Sequence, residues 1–306
     1  MIWWVLVVLM GLIALSPFLL EYIRPRMDRP LQDLAPGEFA NLIKGRVHYQ
    51  WLGAKEGPVA VCVHGLSTPS FVWGPVADHL GQMGFRVLVY DLYGRGYSDR
   101  RSSLQDSKFF NDQLEELLDY LGLEDDITLL GYSMGGAIVA SYAAARPRRL
   151  RQVCLIAPAG LGHDLGSIAD LIVRHDWFGR WVAYAIFPYS LRHGVAEDRE
   201  RPSAVPNMYE MQNRETYKQG FAPAMLWSLR GILNEDLEPA HRAIAKTGLP
   251  VLAIWGREDD VIPISGLGKL AEWNRSARQE VINGAGHTLT YTNVNEVAAA
   301  LRYLKT

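Results

Sequence analysis

Seven short β-rich runs punctuate this chain, and that rhythm restricts its fold more than any other feature of the sequence. The runs are RVHYQWLG (46–53), VAVCVHG (59–65), FRVLVYD (85–91), ITLLGYS (127–133), QVCLIAP (152–158), PVLAIWG (250–256) and QEVINGAG (279–286). Most are continuously apolar, as strands buried on both faces are. Between them FVWGPVADHLGQM, SLQDSKFFNDQLEELLDYLG and SMGGAIVASYAAARP carry helical patterns. Alternating β and α units predict a mainly parallel sheet with helices on both faces, because each parallel crossover returns the chain across one face.

The alternation lapses between Pro158 and Leu249. HDLGSIADLIVRHDWFGRWVAYAIFPYS is helical and aromatic, GVAEDRERPSAVPNMYEM is charged and interrupted by proline, and KQGFAPAMLWSLRGIL is helical again. An insertion between two strands with this pattern predicts a helical cap over the strand ends. The expected organisation is an N-terminal anchor over 1–22, a linker or collar over 23–44, a core made of 45–158 and 249–306, and a cap over 159–248.

The anchor is expected because no charged residue occurs from Ile2 to Leu20, a stretch of 19 residues. At about 1.5 Å per residue it makes a helix of about 29 Å, close to the ~30 Å hydrocarbon core of a bilayer. Trp3 and Trp4 lie at one end and Tyr22 at the other, where interfacial aromatics belong. A cleaved signal peptide needs a basic start and a small-x-small site; nothing basic precedes this run and a proline follows ALS. A buried soluble helix would show a polar face. Arg24, Arg26 and Arg29 follow the span, so the positive-inside rule predicts a single-pass anchor with a cytoplasmic globular domain. A net charge of −2 with no dense Lys/Arg run argues against a nucleic-acid partner. Cys62 and Cys154, the only two cysteines, sit in apolar runs without metal-site or disulfide spacing.

Gly131–Tyr132–Ser133–Met134–Gly135 fits G-x-S-x-G between a strand and a helix pattern. It reads either as a close-packed turn with an ordinary serine or as an elbow that presents a nucleophile. A serine nucleophile needs a base, and the base needs an orienting carboxylate. His287, in the glycine-rich loop after the last strand, suits a base and equally suits a packing residue. His64 lies at a strand end but precedes the serine and reads as a loop residue. His48, His79, His163, His175, His193 and His241 lack such a setting and read mostly as surface or cap residues. Glu258, Asp259 and Asp260, after the strand ending at Gly256, form either a solvated loop or a source of the carboxylate. Strand C-terminal ends are where ligand chemistry gathers in open α/β sheets. The backbone N–H groups of Leu66 and Met134 are candidate oxyanion donors.

From about residue 45 to its end, the chain resembles the α/β-hydrolase superfamily through HGLS, DLYGRGYSD, GYSMGG, GREDDVIP and GAGH. The resemblance implies the α/β-hydrolase fold with an inserted cap and a Ser–Asp–His order of catalytic residues. Counting the acid loop from Gly256 and back from Pro263 selects Asp259. It also implies a serine enzyme, since dehalogenases and epoxide hydrolases of this fold carry aspartate where Ser133 stands. Monoacylglycerol-lipase-like members with a single anchor are similar in layout, which implies a lipid-like ester substrate and no metal or organic cofactor. A hydrolase of C–C bonds in vinylogous diketones, using the same three residues, and a non-enzymatic binding protein are the rival expectations. In the cap, Trp177, Trp181, Tyr184 and Phe187 are candidates to line an acyl tunnel or to pack the cap interior. Asp91 and Arg95 read as loop-shaping residues. The sequence does not fix the oligomeric state.

Overall fold

The computed structural model describes residues 1–162, 166–197 and 199–305, so His163 lies outside the described residues. Along the chain, α1 (Ile2–Ile23) leads to a hairpin of β1 (Glu38–Leu42) and β2 (Gly45–Gly53). Then come β3 (Val59–Val63), α2 (Gly74–Gln82), β4 (Arg86–Tyr90), α3 (Ser107–Tyr120), β5 (Ile127–Tyr132), α4 (Met134–Ala145) and β6 (Leu150–Ile156). Four helices follow: α5 (Gly166–Arg174), α6 (Asp176–Glu197), α7 (Met208–Glu215) and α8 (Phe221–Arg230). The chain returns through α9 (Glu238–Thr247), β7 (Val251–Gly256), α10 (Gly266–Trp273), β8 (Arg278–Ile282) and α11 (Val294–Leu301).

The eight strands form one sheet in the order β1-β2-β4-β3-β5-β6-β7-β8. β2 runs antiparallel to both β1 and β4, and every other pairing is parallel. Successive residues of the central strands face opposite sides. Val61, Val63, Leu129 and Leu155 pack with α3, α4 and α10, whereas Ala60, Cys62, Leu130 and Cys154 pack with α2 and α11. Both faces are therefore covered, which is why these strands read as unbroken apolar runs. Each fully buried Val, Leu or Ile contributes about 1.5–3 kcal/mol.

The hairpin strand β1 was not among the expected strands. Its EFANL is short and half-exposed at the sheet edge, and Pro36 and Gly37 before it read as loop. At the other end of the insertion, Ile244 of α9 is part of the main core cluster, so this helix packs on the sheet layer rather than on the cap. Within the cap, Arg230 at the end of α8 donates to the carbonyl oxygens of Ile172, His175 and Asp176, tying α8 to the ends of α5 and α6.

Asp91, just beyond β4, organises the loop 91–99. Its carboxylate accepts from His48 Nδ1 at 2.7 Å, Ser70 N–H at 2.9 Å and Tyr97 N–H at 2.9 Å. His48 is buried, which corrects its grouping with surface or cap histidines; its second ring nitrogen faces the Pro36 carbonyl oxygen. Burial opposes the charge on His48, but the hydrogen bond and charge of Asp91 together with the Pro36 carbonyl outweigh it and raise its pKa above the ordinary 6.5. Burial likewise opposes the Asp91 charge, and His48 overrides it, holding the carboxyl well below the usual carboxylate range. A proton on each ring nitrogen lets His48 serve both acceptors.

Arg95, in the same loop, is fully buried. It donates to the Leu66 carbonyl at 3.0 Å, the Tyr93 carbonyl at 3.0 Å, the Ala224 carbonyl at 3.2 Å, Ser228 Oγ at 2.7 Å and Gln105 Oε1. Asp91 and Arg95 thus hold the loop to the sheet edge and to α8.

Asp91→Ala leaves three buried donors without their acceptor and is expected to cost about 3–5 kcal/mol, read from the denaturant midpoint. The contribution of charged His48 is complete below its unfolded pKa of about 6.5 and is lost as pH rises through its raised folded value. The native protein should therefore lose stability as pH rises above about 6.5, and Asp91→Ala should flatten that loss.

Candidate active site

Ser133 stands between β5 and α4 with φ +56° and ψ −121°, a conformation that non-glycine residues rarely adopt. Strain of this kind costs on the order of 1–3 kcal/mol and persists only where the surroundings over-determine it. Here they do. Ser133 N–H donates to the Ile156 carbonyl at 2.9 Å, and the Ser133 carbonyl accepts from Gly136 N–H at 2.8 Å and Ala159 N–H at 3.0 Å. A Cβ on Gly131 would lie 2.3 Å from the Gly135 carbonyl oxygen, and one on Gly135 would lie 2.1 Å from that of Val63. The two glycines of the motif are therefore steric requirements of the turn, which raises the Ser133 side chain off the end of the sheet.

Two other strand ends supply the partners. Of Glu258, Asp259 and Asp260, only Asp259 is buried. Its Oδ1 accepts from Val261 N–H at 2.9 Å and Ile262 N–H at 2.7 Å, which fixes the carboxylate and turns Oδ2 to His287 Nδ1 at 2.8 Å. His287 Nε2 lies 2.9 Å from Ser133 Oγ. With Nδ1–H donating to Asp259, Nε2 presents its lone pair to the serine hydroxyl, as a proton acceptor must. Tyr132 adds a support that the motif did not reveal. Its hydroxyl donates to the His287 carbonyl at 2.7 Å, and its ring leans on the imidazole with centroids 5.4 Å apart. Burial pushes the Tyr132 phenol well up, so it remains a donor.

Two stretches of backbone adjoin the serine. Met134 N–H opens α4, where the first amides have no partner in the helix and the helix dipole favours negative charge. On the facing loop, a Cβ added to Gly65 would be 3.2 Å from Ser133 Cβ, so the backbone preceding Leu66 lies against the serine. His64 sets the angle of that peptide. Leu92 N–H donates to its Nε2 at 3.0 Å, which leaves Nδ1–H to donate to the Gly65 carbonyl at 2.8 Å. Burial pushes His64 down to about 4, so it is neutral near pH 7. The Gly65–Leu66 peptide is trans, so its N–H points away from the His64 ring. Among the described residues, no group engages the Leu66 or Met134 amide. No cluster of three or more His, Cys, Asp or Glu side chains among them is spaced to hold a metal ion.

The four cap aromatics do not converge as a set. Trp177 and Tyr184 lie against Phe18 of α1, with ring centroids 6.3 Å and 5.4 Å apart, and Trp181 Nε1–H donates to the Ile13 carbonyl of α1 at 3.3 Å. Three of the candidate tunnel residues therefore meet the N-terminal helix. Phe187 alone of the four packs against both the cap cluster and the main core cluster.

Comparison with known proteins gives the arrangement a family context. A family model described as alpha/beta hydrolase fold matches residues 58–294. The chain is 27% identical over 203 residues to 2-hydroxymuconate semialdehyde hydrolase of Pseudomonas sp. (strain CF600), covering 66% of this chain and 70% of that protein. It is 23% identical over 263 residues to the monoacylglycerol lipase ABHD6 of Homo sapiens, covering 79% and 75% respectively. Among solved structures, a membrane phospholipase A described as a bacterial virulence factor superposes with a TM-score of 0.69 at 20% identity, covering 98% of this chain and 95% of that one. At that identity the likeness is one of fold.

The strained serine predicts an asymmetry between substitutions. Ser133→Gly relieves the backbone and should be more stable than Ser133→Ala by about 1 kcal/mol, measured as a difference in Tm. Gly135→Ala pushes a methyl group onto the Val63 carbonyl and should lose about 1–3 kcal/mol in the same measurement.

Proposed function

The chain belongs to the α/β-hydrolase family, and from that premise we propose that it is a serine hydrolase of carboxylic esters bearing an acyl or lipid-like group. One observation carries the reading: a serine in a strained turn, in line with an imidazole and a buried carboxylate, beside two unengaged amides. Ser133 Oγ attacks the ester carbonyl carbon while its proton passes to His287 Nε2. Asp259 stabilises the imidazolium and holds the ring in line. The carbonyl oxygen, now negative, is held by Leu66 and Met134 N–H, each such donor typically worth ~10²–10³ in turnover. Collapse of the tetrahedral intermediate expels the alcohol, which takes the proton from His287 and leaves an acyl-Ser133. Water then gives a proton to His287 and attacks the acyl carbon; the acid departs and Ser133 recovers its proton.

α1 supports the lipid-like part of the reading. It is apolar and mostly exposed along its length, as a helix surrounded by lipid is, and we assign it as a membrane anchor. Arg24, Arg26 and Arg29 after it orient the globular domain toward the cytoplasm. Hydrolysis of a C–C bond in a vinylogous diketone is the second reading, favoured by the 27% identity to 2-hydroxymuconate semialdehyde hydrolase. A binding protein without activity would have no use for the strain held at Ser133.

A panel of p-nitrophenyl esters from acetyl to palmitoyl tests the assignment. Turnover should peak at medium or long chains, Ser133→Ala should lose at least about 10⁴-fold in kcat, and a fluorophosphonate should label the native protein but not the variant. Undiminished turnover in Ser133→Ala overturns the mechanism. Absent ester turnover, with serine-dependent cleavage of a vinylogous diketone, selects the second reading.

A further inference from the structure

The contact between the cap and α1 places part of the cap at a depth that the globular fold alone does not indicate. Within α1, Pro17 has no N–H, so the Ile13 carbonyl four residues earlier loses its helical partner. The Ser16 hydroxyl at 2.9 Å and the Trp181 indole N–H at 3.3 Å take its place. In hydrocarbon an unpaired carbonyl costs several kcal/mol, so this bond gives the cap a fixed docking point on the helix. Ala14, Ser16, Pro17, Phe18 and Glu21 are the shielded or partly shielded residues from Ile2 to Tyr22, while residues 2–13 are exposed.

Ile13 lies seven residues before Leu20, the end of the uncharged span. At about 1.5 Å per residue that is about 10 Å, a third of a ~30 Å hydrocarbon core. If α1 spans the bilayer, a cap helix bonded to Ile13 cannot stay outside it. The outer edge of α6 meets α1 at Phe18, nearer the end of the span. Trp177 and Phe178 are 59% and 49% exposed, and the Trp177 ring continues the surface of Phe18. Arg174 and Asp176, both exposed, precede this edge in the chain. An aromatic edge with a charged margin is the composition of the membrane interface.

We infer that the Trp177–Phe178 edge of α6 is a second membrane contact, immersed in the same lipid leaflet as the C-terminal half of α1. Its partner is the acyl region of that leaflet, because the edge is continuous with a helix whose own exposed face needs lipid. The inference rests on the assignment of α1 as an anchor. With it, the cap over Ser133 meets lipid esters laterally, within the leaflet that holds them.

The test uses the full chain in phosphatidylcholine–phosphatidylglycerol vesicles. Cys62 and Cys154 are fully buried, with burial pushing both thiols up, so maleimide dyes should react only with a cysteine placed on the surface. The environment-sensitive dye NBD is attached at Phe178→Cys, at Leu6→Cys in α1, or at Tyr120→Cys, which lies at the end of the sheet opposite Ser133. Turnover of a soluble ester, or circular dichroism if there is none, checks folding. Doxyl-labelled lipids should quench the dyes at 178 and 6, with blue-shifted emission, and leave the dye at 120 unaffected. Quenching at 6 without any change at 178 overturns the cap contact and leaves the anchor standing. No quenching at either position overturns both. A blue shift at 178 without lipid quenching means that a second copy or another protein covers the edge, and this too overturns the inference.

Discussion

The site depends on how closely the backbone of residues 131–136 lies against its neighbours. Gly135 approaches the end of β3 and Gly136 approaches Pro158, while Ser133 bonds to the end of β6. These contacts hold the serine in a conformation it would otherwise leave, and they come from the parallel sheet itself. β3, β5 and β6 end at the same level, so their last residues can brace a single turn. Removing that bracing would let Ser133 relax out of line with His287. The rigidity of the sheet is in this sense a part of the chemistry proposed for it.

Much of this was legible in the sequence, for identifiable reasons. Strands buried on both faces cannot hide, because both sets of side chains must be apolar, and all seven expected runs correspond to strands. The serine, histidine and aspartate were legible because each follows a strand and the turns that carry them need glycine or proline at fixed offsets. β1 was not, since an edge strand with one shielded face carries half the signal. His48 was not, because its burial depends on Asp91, which is 43 residues away in the chain. Nor was the fate of Trp177, Trp181 and Tyr184. Helix-spaced aromatics show that a face is covered without showing what covers it, and here the cover is α1. No pattern in the sequence relates the carbonyl freed by Pro17 to an indole 168 residues on.

His64 and Arg95 illustrate how loop residues that touch no substrate can set the geometry of a site. His64 holds the carbonyl of the peptide whose N–H belongs to Leu66, and Arg95 holds the next carbonyl, that of Leu66 itself. Successive peptide planes at Gly65 and Leu66 are thus fixed by two buried side chains. His64 is neutral near pH 7 and adds no positive charge beside Ser133.

Arg95 also carries a mechanical consequence. The same guanidinium that grips the Leu66 carbonyl grips Ala224 and Ser228 of α8, which Arg230 ties to α5 and α6, and α6 is bonded to α1. Swinging the cap away would tear hydrogen bonds from a charge with no water to replace them, a cost of several kcal/mol. The cap is therefore a strut rather than a hinged door, and a force applied to the N-terminal helix would be transmitted through side chains to the peptide beside Ser133.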